Sequence, residues 1–362
     1  MRAVSRIKEL ISSGVLRRAI TLAWATAPYI RPAKVWNLLR CEIEKRRRAA
    51  RPRSLPYVAI IDISNACNLR CPYCPTGERR KSGRKRGIVD PLKVQRLIDE
   101  IGSYLISANL FNWGEPLLHP EIGAIVEMFH KARIFTMIST NLNTRKKELL
   151  NGVCEAGLDY MVVSLGGMSQ SVYEQYHRNG SIDRVIENTR HIAEYKRKRS
   201  LKKPIIEWKY LAFRHNMHEV EAARRLSREL GVDIFRYVRA GGPEEALVEC
   251  NQAPERDVPV NLCHQLWHVI LLNADGGISP CCYLFFKEDD FAEYARDSLR
   301  KTRSNWRFVF ARKLFDASAL DELPWDLRHP CLKCSLVHEQ PHLQAYLKLN
   351  PHAKKGHRTG GP

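Results

Sequence analysis

The chain has 362 residues, 44% apolar and 27% charged, a globular balance that excludes wholesale disorder, collagen-like repetition and a multi-pass membrane protein. Its 59 Lys and Arg against 39 Asp and Glu leave a net +20, the footprint of a phosphate, nucleic-acid or anionic-membrane partner and no guide to fold. At ~150 residues per domain the length suggests one large domain with smaller additions.

Residues 1–53 carry 14 Lys and Arg against 3 Asp and Glu. Ile7, Leu10, Ile11, Val15, Ala19 and Leu22 recur at helical spacing, as do Val35, Leu38, Leu39 and Ile43, with Pro28 and Pro32 between the two sets. This predicts two short basic amphipathic helices, which either pack on the body of the protein or lie on an anionic membrane surface. The stretch Ala19 to Ala27 is too short and polar for an export signal, and no run reaches the ~18 apolar residues of a membrane span. Two further basic runs, Arg79–Arg86 and Lys196–Lys203, each hold six basic residues in eight.

From Tyr57 onward short apolar runs alternate with helical patterns. Strands are predicted at Tyr57–Ser64, Ala108–Trp113, Ile134–Ser139, Tyr160–Leu165, Ile205–Ala212 and Ile234–Val238. Helices are predicted at Pro91–Gly102, Glu121–Ala132, Arg145–Ala156, Ile182–Lys198 and Asn216–Leu230. Strand–helix units in series imply an α/β fold with a parallel sheet, because parallel neighbours need crossovers of this length. Gly241-Gly242-Pro243 marks a boundary, after which the chain turns to short strands, aromatics and further cysteines.

Eleven cysteines are too few for a disulfide scaffold, and their clustering points to metal. Cys67, Cys71 and Cys74 follow the first predicted strand, on the loop where a βα barrel places functional groups. Three thiolates leave a coordination position open; zinc with a distant fourth ligand and an iron–sulfur cluster with one free iron are the two readings. A second set comprises Cys263, Cys281, Cys331 and Cys334, with Cys282 as a spare neighbour; four thiolates suit a closed zinc site or a fully ligated cluster. Cys41, Cys154 and Cys250 read as ordinary thiols.

The C-x3-C-x2-C spacing with Tyr73 before the last cysteine resembles the signature of the radical S-adenosylmethionine (SAM) superfamily. The resemblance implies a partial (β/α)6 TIM-like barrel, a SAM-binding [4Fe-4S] cluster on Cys67, Cys71 and Cys74, and a 5′-deoxyadenosyl radical that abstracts hydrogen from substrate. Asn112-Trp113-Gly114-Glu115-Pro116 is similar to the family's Gly-Gly-Glu element, with Gly114 admitting backbone and Glu115 accepting from the methionine ammonium. Ser139-Thr140-Asn141 is similar to the polar tip that holds the ribose and methionine carboxylate. Relatives read Ser-Ile-Asp-Gly where this chain has Ser164-Leu165-Gly166-Gly167, so an acid is absent at Gly166. The C-terminal cysteines, fed by the Asn273–Cys281 hairpin, resemble the small auxiliary-cluster domain of SPASM and twitch enzymes, implying a second [4Fe-4S] cluster.

The expected organisation is therefore a basic helical extension (1–53), a radical SAM core (54–242), an auxiliary-cluster domain (243–340) and a basic tail (341–362). Alternation along the fifth strand turns Ile206, Trp208 and Tyr210 to the outer helices and leaves Glu207 and Lys209 facing the cavity, as substrate or SAM contacts or as a buried ion pair. The expected substrate is a sugar, cyclitol, or lipid- or nucleotide-linked sugar, oxidised or epimerised by an oxidoreductase or epimerase; modification of a ribosomally made peptide is the alternative. RNA modification ranks lower because aromatics do not interleave with the basic runs, as does a non-enzymatic zinc protein. A flavodoxin- or ferredoxin-type electron donor and a cytoplasmic location, with peripheral contact at the inner membrane face, complete the expectations.

Overall fold

The computed structural model describes residues 15–241, 243, 262–295, 297–325 and 328–350. Ile7, Leu10 and Ile11 of the first expected helix, Gly242 at the expected boundary, Cys250 and residues 351–362 of the expected tail lie outside the described residues, while Pro341–Leu349, expected as tail, is a helix that buries Leu343 and Leu347. Two helices, α1 (Val15–Thr26) and α2 (Pro32–Arg46), precede the sheet.

Six strands follow, each register-locked to the next in parallel: β1 (Val58–Ile61), β2 (Ser107–Asn109), β3 (Phe135–Thr140), β4 (Tyr160–Leu165), β5 (Ile205–Ala212) and β6 (Ile234–Arg239). The crossovers include α3 (Pro91–Ile101), α4 (Ile122–Lys131), α5 (Lys147–Glu155), α6 (Gln170–Tyr176), α7 (Ile182–Lys198) and α8 (Val220–Glu229). Asp90 starts α3 by accepting from Leu92 N, and Pro91 at the first helical position presets its backbone. The predicted parallel α/β architecture is present, with strands four to six close to their expected bounds.

Three elements are shorter than the apolar pattern suggested, β1 among them, with four residues in place of eight. β2 pairs only through Asn109, because residues beyond it peel away to bring Gly114 against the loop after β1. The helix expected from Asn216 begins instead at Val220, after a 3-10 turn at Arg214–Glu219. Asn216 is fully buried; its Oδ1 accepts from Phe213 N at 2.8 Å and its Nδ2 donates to Gly166 O and Leu211 O, each at 2.8 Å. It caps the turn and ties the tip of β5 to that of β4.

The cysteine-rich part extends the same sheet. β7 (Val269–Leu272) lies parallel to β1, then β8 (Gly277–Ser279) and β9 (Ala292–Glu293) add antiparallel, giving the order β6-β5-β4-β3-β2-β1-β7-β8-β9. The predicted hairpin is there: Gly276 at φ +94° takes a conformation that a side chain would strain, and Gly276 N donates to Asn273 O at 2.8 Å.

Two apolar clusters divide the core. The larger lies between the sheet's outer face and the helices, while Tyr29, Phe135, Met137, Tyr160, Val162 and Ile234, with Leu22 and Ala25 of α1, fill the inner face at one end. The N-terminal extension therefore plugs the bottom of the partial barrel and leaves the C-terminal strand ends open.

Candidate active site

Cys67, Cys71 and Cys74 lie on the loop leaving β1, each partly accessible. Burial pushes the Cys67 thiol up to about 11 and the Cys71 thiol up to about 12, so both hold protons until a metal displaces them. The loop is tightly folded: a Cβ on Gly77 would stand 2.3 Å from Cys71 O, and one on Gly114 would stand 1.8 Å from Ser64 O. Only glycine fits at either place. Tyr73 sits at φ +66° with its N donating to Glu78 Oε1 at 2.9 Å, and its half-exposed ring stands 6.5 Å from that of Tyr176.

Three strand ends converge on Glu115. Its buried carboxylate accepts from Thr140 Oγ1 at 2.6 Å, Asn141 N at 2.8 Å and Leu117 N at 3.1 Å, while Glu115 N donates to Ala66 O at 2.8 Å. Burial raises this carboxyl to about 7 despite those donors. A carboxylate has about four lone-pair sites, so one on Oε2 stays available beside the β3 tip. Asn141 Nδ2 reaches Asn68 Oδ1 at 3.0 Å and Cys67 Sγ at 3.7 Å, closing the link from the polar tip back to the cysteine loop.

The inner face of the strands is tiered. Phe135 and Tyr160 form the floor, and Glu207 and Arg236 the middle. Ser139, Ser164 and Lys209 are the half-exposed positions near the ends of β3, β4 and β5, with Ser164 and Lys209 directly paired. The hydroxyls of both serines have no hydrogen-bond partner among the described residues, so this tier offers free donors. Glu207 and Lys209 do face inward, but they differ. Glu207 is fully buried and saturated by Arg18 Nε at 2.7 Å, Tyr160 OH at 2.6 Å, and Arg236 Nε and Nη2 at 3.0 and 2.7 Å. Burial alone would raise it, yet Arg236, Tyr160 and Arg18 hold it below its ordinary value. Of the two roles expected of Glu207, the substrate or SAM contact gives way to the buried ion pair, because four donors leave no acceptor site for a ligand. Lys209 has no acid partner among the described residues, and desolvation, with Arg236 beside it, lowers its pKa.

The missing acid has a structural counterpart. A Cβ on Gly166 would meet His177 Cε1 at 3.3 Å and Nδ1 at 3.4 Å, so the His177 ring fills the space beside the β4 tip. His177 is buried, stacks on Tyr173 at 4.6 Å and 11°, and its Nδ1 has no partner among the described residues. Desolvation, then Lys209, drives its pKa down to about 3. No motif pointed to His177. Asp62 was missed too, although an acid in the apolar run of the first strand was a signal. It is fully buried, accepts from Trp113 N at 3.0 Å, leaves Oδ2 without a partner among the described residues, and is raised by burial to about 7.

Cys263, Cys281, Cys282, Cys331 and Cys334 come together, close enough to perturb one another electrostatically. Cys282 donates its backbone N to Gln265 Oε1 at 3.3 Å, and the adjacent Cys281 thiol lowers its pKa to about 7. Among the described residues no three Cys, His, Asp or Glu side chains converge tightly enough to hold one metal ion. Three thiols in the first set and four in the second, with Cys282 beside them, are the donor type an iron–sulfur cluster takes. Between them Trp113 packs edge-on to Phe285 at 5.0 Å, and a cavity of about 510 Å³ opens beside Cys67 and Trp113 under the rim of Arg79, Lys81 and Arg86.

A model of the radical SAM superfamily matches residues 61–206. PqqA peptide cyclase of Bradyrhizobium diazoefficiens is 23% identical over 194 residues, which cover 53% of this chain and 48% of that protein. GTP 3′,8-cyclase of Chlorobaculum tepidum is 30% identical over 134 residues, covering 37% of this chain and 39% of that protein. Each match thus spans less than half of the curated relative. Among solved structures, Streptococcus suis SuiB bound to the precursor peptide SuiA aligns with a TM-score of 0.57 at 14% identity, over 76% of this chain and 70% of that one, a likeness of fold.

Proposed function

Because residues 61–206 form a radical SAM domain, whose cofactors are a [4Fe-4S] cluster and SAM, we propose that this chain is a radical SAM enzyme that modifies a ribosomally made peptide. Cys67, Cys71 and Cys74 would hold the SAM-binding cluster, and Cys263, Cys281, Cys331 and Cys334 an auxiliary one. With SAM bound, the first cluster supplies one-electron cleavage of the sulfonium to a 5′-deoxyadenosyl radical.

The chain's own groups supply position and dryness. Gly114 lets the β2 tip lie against the loop carrying Cys67. The open lone pair of Glu115 Oε2 suits an ammonium donor, and Ser139, Ser164 and Lys209 line the tier above the saturated Glu207 network, where ribose hydroxyls and a carboxylate would find donors. The apolar floor from Tyr29 to Ile234 closes the far end to water.

The observation that carries the SAM site is the convergence of Ala66, Thr140 and Asn141 on Glu115. The peptide substrate rests on the peptide cyclase match, which is why the peptide alternative replaces the sugar or cyclitol expected from sequence, and a bond-forming cyclase replaces the expected oxidoreductase or epimerase. Anaerobically reconstituted protein with SAM and dithionite tests it, with 5′-deoxyadenosine and peptide mass followed over a displayed peptide library. Peptides that stimulate cleavage and lose hydrogen support the proposal. Stimulation by GTP or a nucleotide sugar, and by no peptide, overturns the substrate; no 5′-deoxyadenosine at all overturns the chemistry.

A further inference from the structure

The second N-terminal helix is amphipathic in the reverse of the usual sense. A helix packed on a globular body normally turns its apolar stripe inward. Instead α2 buries Lys34, Asn37, Cys41 and Lys45. Each polar one is satisfied: Lys34 Nζ donates to Arg133 O at 2.6 Å, Asn37 exchanges hydrogen bonds with the Leu55 backbone at 2.8 and 2.9 Å, and Lys45 pairs with Glu42. Outward it presents Trp36 at 72% exposure, with Leu39 and Ile43 at about half.

The neighbouring helix α1 packs Leu22 and Ala25 inward and still leaves apolar side chains uncovered. Leu16, Ile20 and Trp24 recur every four residues on the open side of α1, and Trp24 is 77% exposed. The opposite side of α1 anchors to the barrel through Arg18 and Glu207. Eight of the sixteen exposed large apolar side chains of the described residues fall between Leu16 and Ile43. Such concentration in one short segment marks an interaction surface.

Charge selects the occupant. Exposed Arg17, Arg31, Arg46, Arg47 and Arg48 rim the apolar face, and the acids of the described extension, Glu42 and Glu44, are engaged by Lys45 and Arg40. Arg31 stands with Trp36 and Leu39 in a shallow groove at the start of α2. A second copy on a two-fold axis would set this basic rim against itself. Tryptophans on an apolar face with flanking arginines match instead a bilayer interface whose headgroups are anionic.

We propose that the outer face of α1 and α2 lies in the headgroup layer of an anionic membrane and tethers the enzyme there. No helix of the described residues is long and apolar enough to cross a bilayer, so the contact is peripheral. The proposal is independent of the substrate.

The full chain is floated through sucrose with phosphatidylcholine vesicles, with and without phosphatidylglycerol. Wild type rises with the anionic vesicles at least roughly tenfold more than with the neutral ones, and salt reduces the binding. The double variant Trp24→Ser and Trp36→Ser keeps its circular dichroism, since both rings are solvent-exposed, and loses flotation by about tenfold. Wild type remaining unfloated, or a variant floating equally well, overturns the proposal. So does a concentration-dependent dimer that the double variant dissociates, which would make a second copy the occupant.

Discussion

Arg84 grips Asp290 with paired hydrogen bonds, Nη1 to Oδ2 at 2.8 Å and Nη2 to Oδ1 at 2.6 Å, across 206 residues of sequence. Asp275 at 3.2 Å and the carbonyls of Phe285 and Phe286 at 2.9 and 3.1 Å complete its coordination. One arginine of a basic run is thus the clasp between the first cysteine loop and the strands leading past Cys281. It holds Phe285 where Trp113 meets it.

Removing the clasp leaves buried carboxylates without their main partner. Arg84→Leu is expected to cost about 3–5 kcal/mol. Arg80→Leu breaks a solvent-screened pair with Glu78, whose side chains are 52% and 33% exposed, and is expected to cost under about 1 kcal/mol. Urea unfolding of both variants under identical metal loading checks the contrast; equal costs would remove the special standing of Arg84.

Glu115 is expected to join stability to SAM binding. In Glu115→Gln an amide NH2 must face either Asn141 N–H or Leu117 N–H, leaving a buried donor unpaired at about 1–3 kcal/mol. Loss of the charge is expected to weaken SAM at least tenfold, the equivalent of about 1.4 kcal/mol. Equilibrium dialysis of labelled SAM alongside thermal unfolding separates the effects. Lower stability with unchanged affinity would confine Glu115 to holding the β3 tip.

Local spacing made much of this legible. The cysteine motif, the glycine before Glu115 and the polar end of β3 announce themselves within a few residues, and a period of two along β5 was enough to turn Glu207 and Lys209 inward. Their different fates were not legible, because Glu207 is saturated by Arg18 and Arg236, one on a preceding helix and one on the next strand. Helical periodicity likewise marked an apolar face on α2 without saying that Lys34 and Asn37 would find partners inside and turn that face out. His177 beside Gly166 belongs to the same class, a contact between loops after β4 that no motif encodes.

The two cysteine sets are expected to load independently. Reconstituted wild type should carry about eight irons, as two four-iron clusters. Either Cys67→Ala with Cys71→Ala or Cys331→Ala with Cys334→Ala should leave about four, and only the second pair should retain SAM cleavage. Iron, sulfide and zinc analysis decides it: zinc in the C-terminal set would end the second cluster, and zinc in place of iron throughout would end the radical chemistry.

His177 gives a pH dependence of definite sign. Its pKa is about 3 in the folded chain against 6.5 ordinarily, so below that ordinary value the unfolded chain takes up a proton that the folded chain refuses. Its contribution is therefore complete above pH 6.5 and is lost as pH falls towards 3, at about 1.4 kcal/mol per pH unit. His177→Phe keeps an aromatic ring against Tyr173 and cannot titrate. From pH 6.5 to 5 the variant should gain about 2 kcal/mol on wild type, with a constant offset above pH 7.5. Gly166→Asp sets a carboxylate against the same ring and should flatten the wild-type slope by raising the folded pKa. Parallel urea-unfolding profiles for wild type and His177→Phe would mean that His177 finds a proton acceptor in solution, and the ring would then be a charged group beside Lys209 rather than the neutral filler of the space that Gly166 leaves.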